Sequence, residues 1–185
     1  MKRIIVIGSS GAGKTTIAKE LAGILHIPHT ELDSMYHQAG WQALDSQEFI
    51  KRVNRIAKKQ EWIFCGNYFS VLGIDFWKQA DTVIWCDYPF YRVFFRLLRR
   101  TLYRFFARQE LWNGNRERFY TNFFTKDSVI VWMVSTWRQH WLRYDQIFSQ
   151  PGKLPHTKLI RLRQSKDAKA LLANAACPVS SLAAR

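Results

Sequence analysis

RIIVIGSSGAGKTTIAKELAGIL, residues 3–25, decides the fold. RIIVI (3–7) is a short β-branched apolar run suited to a buried strand, and IAKELAGIL (17–25) repeats its apolar positions at helical spacing. Between them, Gly8-Ser9-Ser10-Gly11-Ala12-Gly13-Lys14-Thr15 matches the phosphate-binding pattern GxxxxGK[ST] at every position, in the strand–loop–helix setting that the pattern requires. Glycines let successive N–H groups turn inward toward phosphates. Lys14 is placed to reach the β and γ oxygens, the Thr15 hydroxyl is placed to hold Mg2+, and Thr16 follows on the first turn of the helix. ATP is the expected first partner.

Outward from this unit the pattern repeats. IPHTELD predicts a short strand ending at Asp33, and residues 46–60 a polar amphipathic helix opened by Ser46. WIFCGNY predicts a buried strand ending in a turn, TVIWCD another buried run, and KLIRL a last strand before a helix from about Lys166 to Ala175 capped by Ser165. The expected class is α/β, a three-layer P-loop NTPase fold. Its parallel sheet has about five strands, is covered on both faces, and binds ligands at the strands' carboxyl ends. One domain is expected over 1–176, with an arginine-rich helical lid insertion at about 91–150 and a tail at 177–185.

The chain of 185 residues carries 28 Lys and Arg against 14 Asp and Glu, a net +14 that favours anionic partners. The apolar run after MKR is too short for a signal-peptide core or a membrane span, so a cytoplasmic protein without a membrane partner is expected. Cys65, Cys86 and Cys177 lack metal-ligand spacing and are expected to be reduced thiols, the first two in the core. The five histidines show no ligand spacing either.

The chain resembles the adenylate-kinase-like and shikimate-kinase-like P-loop proteins over about residues 1–175, and within them a branch labelled DNA topology modulation protein. The marks are GSSGAGKTT, ELDSMY, GNY, DYP followed by spaced arginines, and WNGNRE. The resemblance implies an ATP- and Mg2+-dependent phosphotransferase acting on a small acceptor, a nucleotide or a nucleoside-like molecule. Counting from Pro89, it places the two lid-base arginines at Arg96 and Arg100, the first stacking on adenine and the second touching phosphates. It makes Asp33 a general base or metal-water ligand, with a helix cap or a surface charge as the plain alternative. Asp87 is a second metal candidate with the same alternative. It puts Gly66, Asn67 and Tyr68 on the acceptor side and brings Arg116 in from the lid tip. One departure stands out, since Cys65 precedes Gly66 where relatives commonly carry an aspartate, and a thiol is a poor partner for Mg2+.

YRVFFRLLRRTLYRFFAR (91–108) fits a membrane-surface helix, a nucleic-acid arm or a lid. Between residues 92 and 118 there are eight arginines and no lysine, which favours a lid that recognises phosphate through rigid forks. Phe94, Leu98, Leu102 and Phe105 are expected to face the core. The alternative function is a nucleic-acid-associated ATPase that binds DNA through this basic segment. Arg161 and Arg163, at the end of the last strand, are expected to be solvated.

Overall fold

The computed structural model describes residues 1–107, 110–115 and 128–177. In chain order these form β1 (Arg3–Gly8), α1 (Lys14–Leu25), β2 (His29–Glu31), α2 (Leu32–Tyr36), α3 (Ser46–Ala57), β3 (Trp62–Cys65), α4 (Phe69–Lys78), β4 (Thr82–Cys86), α5 (Phe90–Phe106), α6 (Val129–Ser149), β5 (Lys158–Leu162) and α7 (Ser165–Ala176). Short 3-10 turns occupy Ala39–Trp41, Trp112–Gly114 and Pro151–Lys153. The sheet order is β2-β3-β1-β4-β5 and every pairing is parallel. This is the P-loop kinase fold.

Parallel strands covered on both faces must be apolar at successive positions, and Ile4 to Ile7 are each at most 1% exposed. Alternate residues serve opposite cores. Ile4 and Val6 pack with Leu21 of α1 and Leu171 of α7, while Ile5 and Ile7 pack with Phe49 of α3, Trp77 of α4 and Tyr144 of α6. Each such side chain contributes about 1.5–3 kcal/mol by leaving water.

Several expectations need correction. The second strand ends at Glu31, and Asp33 lies in the first turn of α2. The cap of α3 is Asp45, whose Oδ1 accepts from the N–H groups of Gln47 and Glu48 at 3.0 Å, so Ser46 is already helical. Gln164 and Asp167 form a reciprocal capping box at α7, replacing Ser165. On α5 the buried stripe is Val93, Leu97 and Thr101, one residue round from the stripe expected, while Phe95 and Phe106 are 64% and 76% exposed. The cause is close packing on the glycine loop, where a Cβ at Gly11 would lie 2.7 Å from the Val93 carbonyl oxygen and 2.9 Å from Leu97 Cβ.

Candidate functional site

The register of the sheet builds the site. Val6 stands opposite Cys65 and Gly8 opposite Cys86, so the chain leaves β1 flanked by the ends of β3 and β4. Gly8, Gly11 and Gly13 have φ of 143°, 85° and 86°, the left-handed region that favours glycine. At Gly8 the neighbour is the Cys86 backbone, and at Gly11 it is α5. At Gly13 a methyl group would meet nothing within 4 Å, so the loop is open on that side.

Lys14 Nζ donates to the Ser9 carbonyl at 3.0 Å across the loop. It is half-buried rather than solvent-facing, and burial lowers its pKa. The Asp33, Cys65 and Cys86 side chains oppose that shift, and Arg100 adds to it. The ammonium is thus held in a poorly hydrated position where an incoming phosphate would restore its lost solvation.

Thr15 Oγ1 lies 3.6 Å from Cys65 Sγ. Burial pushes the Cys65 thiol up to about 11 and the Cys86 thiol to about 12, so both are neutral at ordinary pH. Asn67 Oδ1 accepts from the Gly8 N–H at 3.2 Å and from the Tyr144 hydroxyl at 3.1 Å, tying the turn after β3 to the start of the loop and to α6. A Cβ at Gly66 would meet Leu32 Cβ at 2.8 Å, which accounts for glycine at that turn. Tyr68 donates its hydroxyl to Asp33 Oδ1 at 2.8 Å. Burial first, and then this carboxylate, hold the phenol far above its usual range.

A fastening between distant segments, which no local sequence pattern announces, closes the far side. Trp112 Nε1 donates to Glu31 Oε2 at 3.2 Å, and Asn113 Nδ2 donates to the His37 carbonyl. Asn115 is buried, gives Nδ2 to the Gln38 carbonyl at 2.9 Å, and accepts from the Trp41 N–H at 3.0 Å. The Trp112 ring stacks on His37 at 6.3 Å. The segment expected at the lid tip therefore rests on α2 and the turn after it. Arg116, expected to enter from there, lies outside the described residues.

The strand-end arginines and aspartates separate into two groups. Arg96 is exposed and holds its guanidinium 5.3 Å from the Tyr88 ring centre, while Arg100, one turn further along α5, acts on Lys14. Asp87 is taken up elsewhere, because its Oδ2 accepts from Arg161 Nε at 2.8 Å. Arg161 also reaches Asp145 Oδ1 at 2.7 Å and lies 4.2 Å from the Trp85 ring centre. Arg161 is therefore not the solvated residue expected, though Arg163 is well exposed. An open cavity of about 470 Å3 at the ends of β4 and β5 is walled by Tyr88, Phe90, Trp137, Trp141 and Arg163.

Among the described residues no group of three or more His, Cys, Asp or Glu is arranged around a metal position. The donors present nonetheless fit Mg2+ held chiefly by nucleotide phosphates, which needs one or two protein oxygens and not a full cage. Thr15 supplies a hydroxyl, and Asp33 is the carboxylate whose charge is felt at Lys14.

An inward-turned lysine on a glycine loop at the centre of a five-stranded parallel sheet is the arrangement of the P-loop kinase fold. Shikimate kinase from Acinetobacter baumannii, solved in complex with shikimate, shares the fold at a TM-score of 0.54 and 17% identity, over 94% of this chain and 90% of that one. Shikimate kinase from Bacteroides thetaiotaomicron does so at 0.50 and 14%, over 94% and 95%. In sequence, 55 residues are 36% identical to the ATP-dependent Clp protease ATP-binding subunit ClpX of Bacteroides thetaiotaomicron, a match spanning 29% of this chain and 13% of that protein. No protein-family model matches the chain. No helix among the described residues is long and apolar enough to cross a membrane.

Proposed function

We propose that this chain binds ATP with Mg2+ and transfers the γ-phosphoryl group to a hydroxyl- or phosphate-bearing small acceptor. The observation that carries the reading is Lys14 folded across the glycine loop onto the Ser9 carbonyl, where the Asp33 side chain favours its charged form. Loop amides and Lys14 hold the phosphates, and the Thr15 hydroxyl would hold Mg2+, which when bound neutralises phosphate charge, with Asp33 either on a metal-bound water or free as the base. Asp33, set by Tyr68, accepts the proton of the acceptor hydroxyl as its oxygen bonds to the γ-phosphorus. The β–γ bridging bond then breaks, with its electron pair leaving on ADP. Arg96 and Arg100 supply planar donors from α5, the first toward the base and the second toward phosphate. Asn67 and Tyr68 position the acceptor side. The narrower label of DNA topology modulation rests on one observation, the exposure of Phe95, Tyr103 and Phe106 among Arg92, Arg96 and Arg99 on α5. Such a face suits stacking on bases between phosphates.

Lys14→Ala tests the main reading. Because burial already disfavours the charged lysine, the variant is expected to fold with unchanged or higher thermal stability. It should bind Mg-ATP about tenfold to a hundredfold more weakly, the scale of a charge-assisted hydrogen bond. Unchanged Mg-ATP affinity by calorimetry would show that the loop is not the nucleotide site.

A further inference from the structure

α6 brings to the glycine loop a titratable ring that the phosphotransfer steps do not use. His140 lies one turn before Tyr144, its ring stacked on the phenol at 6.1 Å with 21° between the planes and set against Trp132 at 5.4 Å. Tyr144 in turn gives its hydroxyl to Asn67 Oδ1, the oxygen that also accepts from the Gly8 N–H, so this turn of α6 is fastened to the start of the loop. A cavity of about 10 Å3, the size of one water, is walled by His140, Tyr144, Cys86, Asp87 and Ser9. Ser9 is the residue whose carbonyl holds Lys14 Nζ at 3.0 Å. One loop residue therefore adjoins both the cavity beside His140 and the ammonium of Lys14.

His140 is half-buried, and among the described residues neither of its ring nitrogens has a hydrogen-bond partner. Burial first, then Arg143 on the same helix, then Lys14 at the start of α1 lower its pKa, so the neutral imidazole is favoured at ordinary pH. The acids nearby are already engaged. Asp87, which shares the cavity, accepts from Arg161 Nε at 2.8 Å, and Asp145, further along α6, accepts from Arg161 Nη1 at 2.7 Å. Cys86 and Tyr144 are kept protonated by burial. A proton on His140 is thus opposed by two cations until a negative charge arrives. Phosphates held at Lys14 bring that charge to the side of the ring from which repulsion now comes.

We propose that His140 is a further phosphate-binding residue, which takes up a proton from solvent as a nucleoside triphosphate settles on the loop and holds a terminal phosphate oxygen as an imidazolium donor. This rests on the nucleotide reading and adds a titratable cation to Lys14. Because the bound form carries a proton that the free form lacks, nucleotide binds more tightly as pH falls, by at most about tenfold per pH unit. Arg100 keeps its charge at every working pH and gives no such dependence.

The test is calorimetry on the full chain with Mg2+ and a non-hydrolysable ATP analogue, run near neutral pH in buffers of different ionisation enthalpy so that proton uptake is counted directly. The unsubstituted chain should take up about 0.3–1 proton more per nucleotide than His140→Gln, and between about pH 8 and 6 its affinity should climb more steeply than that of the variant. Ionisation of the analogue and of Lys14 is common to both chains and drops out of the difference. Equal uptake overturns the proposal. A second measurement needs no substitution, because the His140 ring signal in a pH titration followed by NMR should move its midpoint upward when the analogue is bound. A midpoint that stays or falls counts against the proposal. Analogue that binds both chains with equal uptake removes the role of His140 alone, whereas analogue that binds neither chain removes the nucleotide site with it, so the two failures are distinguishable.

Discussion

Gly11 and Gly13 share a left-handed backbone, at φ 85° and 86°, and differ in what surrounds them. A methyl group at Gly11 would strike the α5 backbone, whereas at Gly13 it would enter open space. Gly11→Ala is therefore expected to lose about 2–4 kcal/mol, combining left-handed strain with overpacking. Gly13→Ala should lose about 1–2 kcal/mol from strain alone. Nucleotide binding should fall in both, because Gly13→Ala narrows the open side of the loop. Chemical denaturation of the two variants checks the order, and equal losses would mean that α5 does not rest on the loop as described.

At the scale of elements, α5 turns a run of arginines into two populations. Arg100 is half-buried and acts on Lys14, while Arg92, Arg96 and Arg99 remain in solvent. If α5 closes over bound nucleotide, Arg96→Lys and Arg100→Lys keep the charge and lose the planar fork. Each should then lower kcat/KM by about 2–4 kcal/mol of transition-state stabilisation with a smaller change in ATP affinity. A nucleic-acid arm would tolerate lysine, and there alanine would instead reduce the salt slope of DNA binding by about one per lost phosphate contact. Turnover that survives both lysine variants removes the lid role. Elements carried by local pattern are legible in the sequence, notably β1, the glycine loop, α1 and the buried runs of β3 and β4. FSVLGIDFWK conceals α4, because Gly73 sits inside it at φ 69° and interrupts the helical period. The facing of α5 departs from its sequence pattern by one residue, with the helix backbone at Val93 and Leu97 packed against Gly11. At the site, the pattern locates Lys14, Thr15, Asn67 and Tyr68 but not their partners. Tyr68 finds Asp33 35 residues away, Trp112 finds Glu31 81 away, and Arg161 finds Asp87 74 away. Only the assembled sheet and its covering helices bring such pairs together.

Over the whole molecule, burial keeps two thiols and two phenols protonated, Cys65 and Cys86 at the ends of β3 and β4, Tyr68 before α4 and Tyr144 on α6. Unfolding would let the thiols ionise near pH 8.5–9, well below their folded values of about 11 and 12. Above pH 9 the unfolded chain therefore releases protons that the folded chain keeps. Stability is whole below that point and declines as pH climbs toward 11 to 12. Lys14, lowered by burial, acts in the opposite direction. A thermal melt series from pH 7 to 11 should show a falling midpoint, with a shallower fall in Cys86→Ala. Alkylation of the native chain at pH 8 should mark the exposed Cys177 and spare the other two, and rapid labelling of Cys65 would contradict its burial.

The clasp made by Asn113 and Asn115 grips main-chain carbonyls at His37 and Gln38 and the amide of Trp41. Every residue type offers those carbonyls, and every type but proline the amide, so those asparagine contacts make little demand on the side chains they hold in place. On the proposed function, exchanging Ser34 or Gln38 would remake a wall of the acceptor side while the Asn113 and Asn115 grip stays shut. On that reading acceptor preference would be open to change by few substitutions, with the backbone contacts of Asn113 and Asn115 inherited intact.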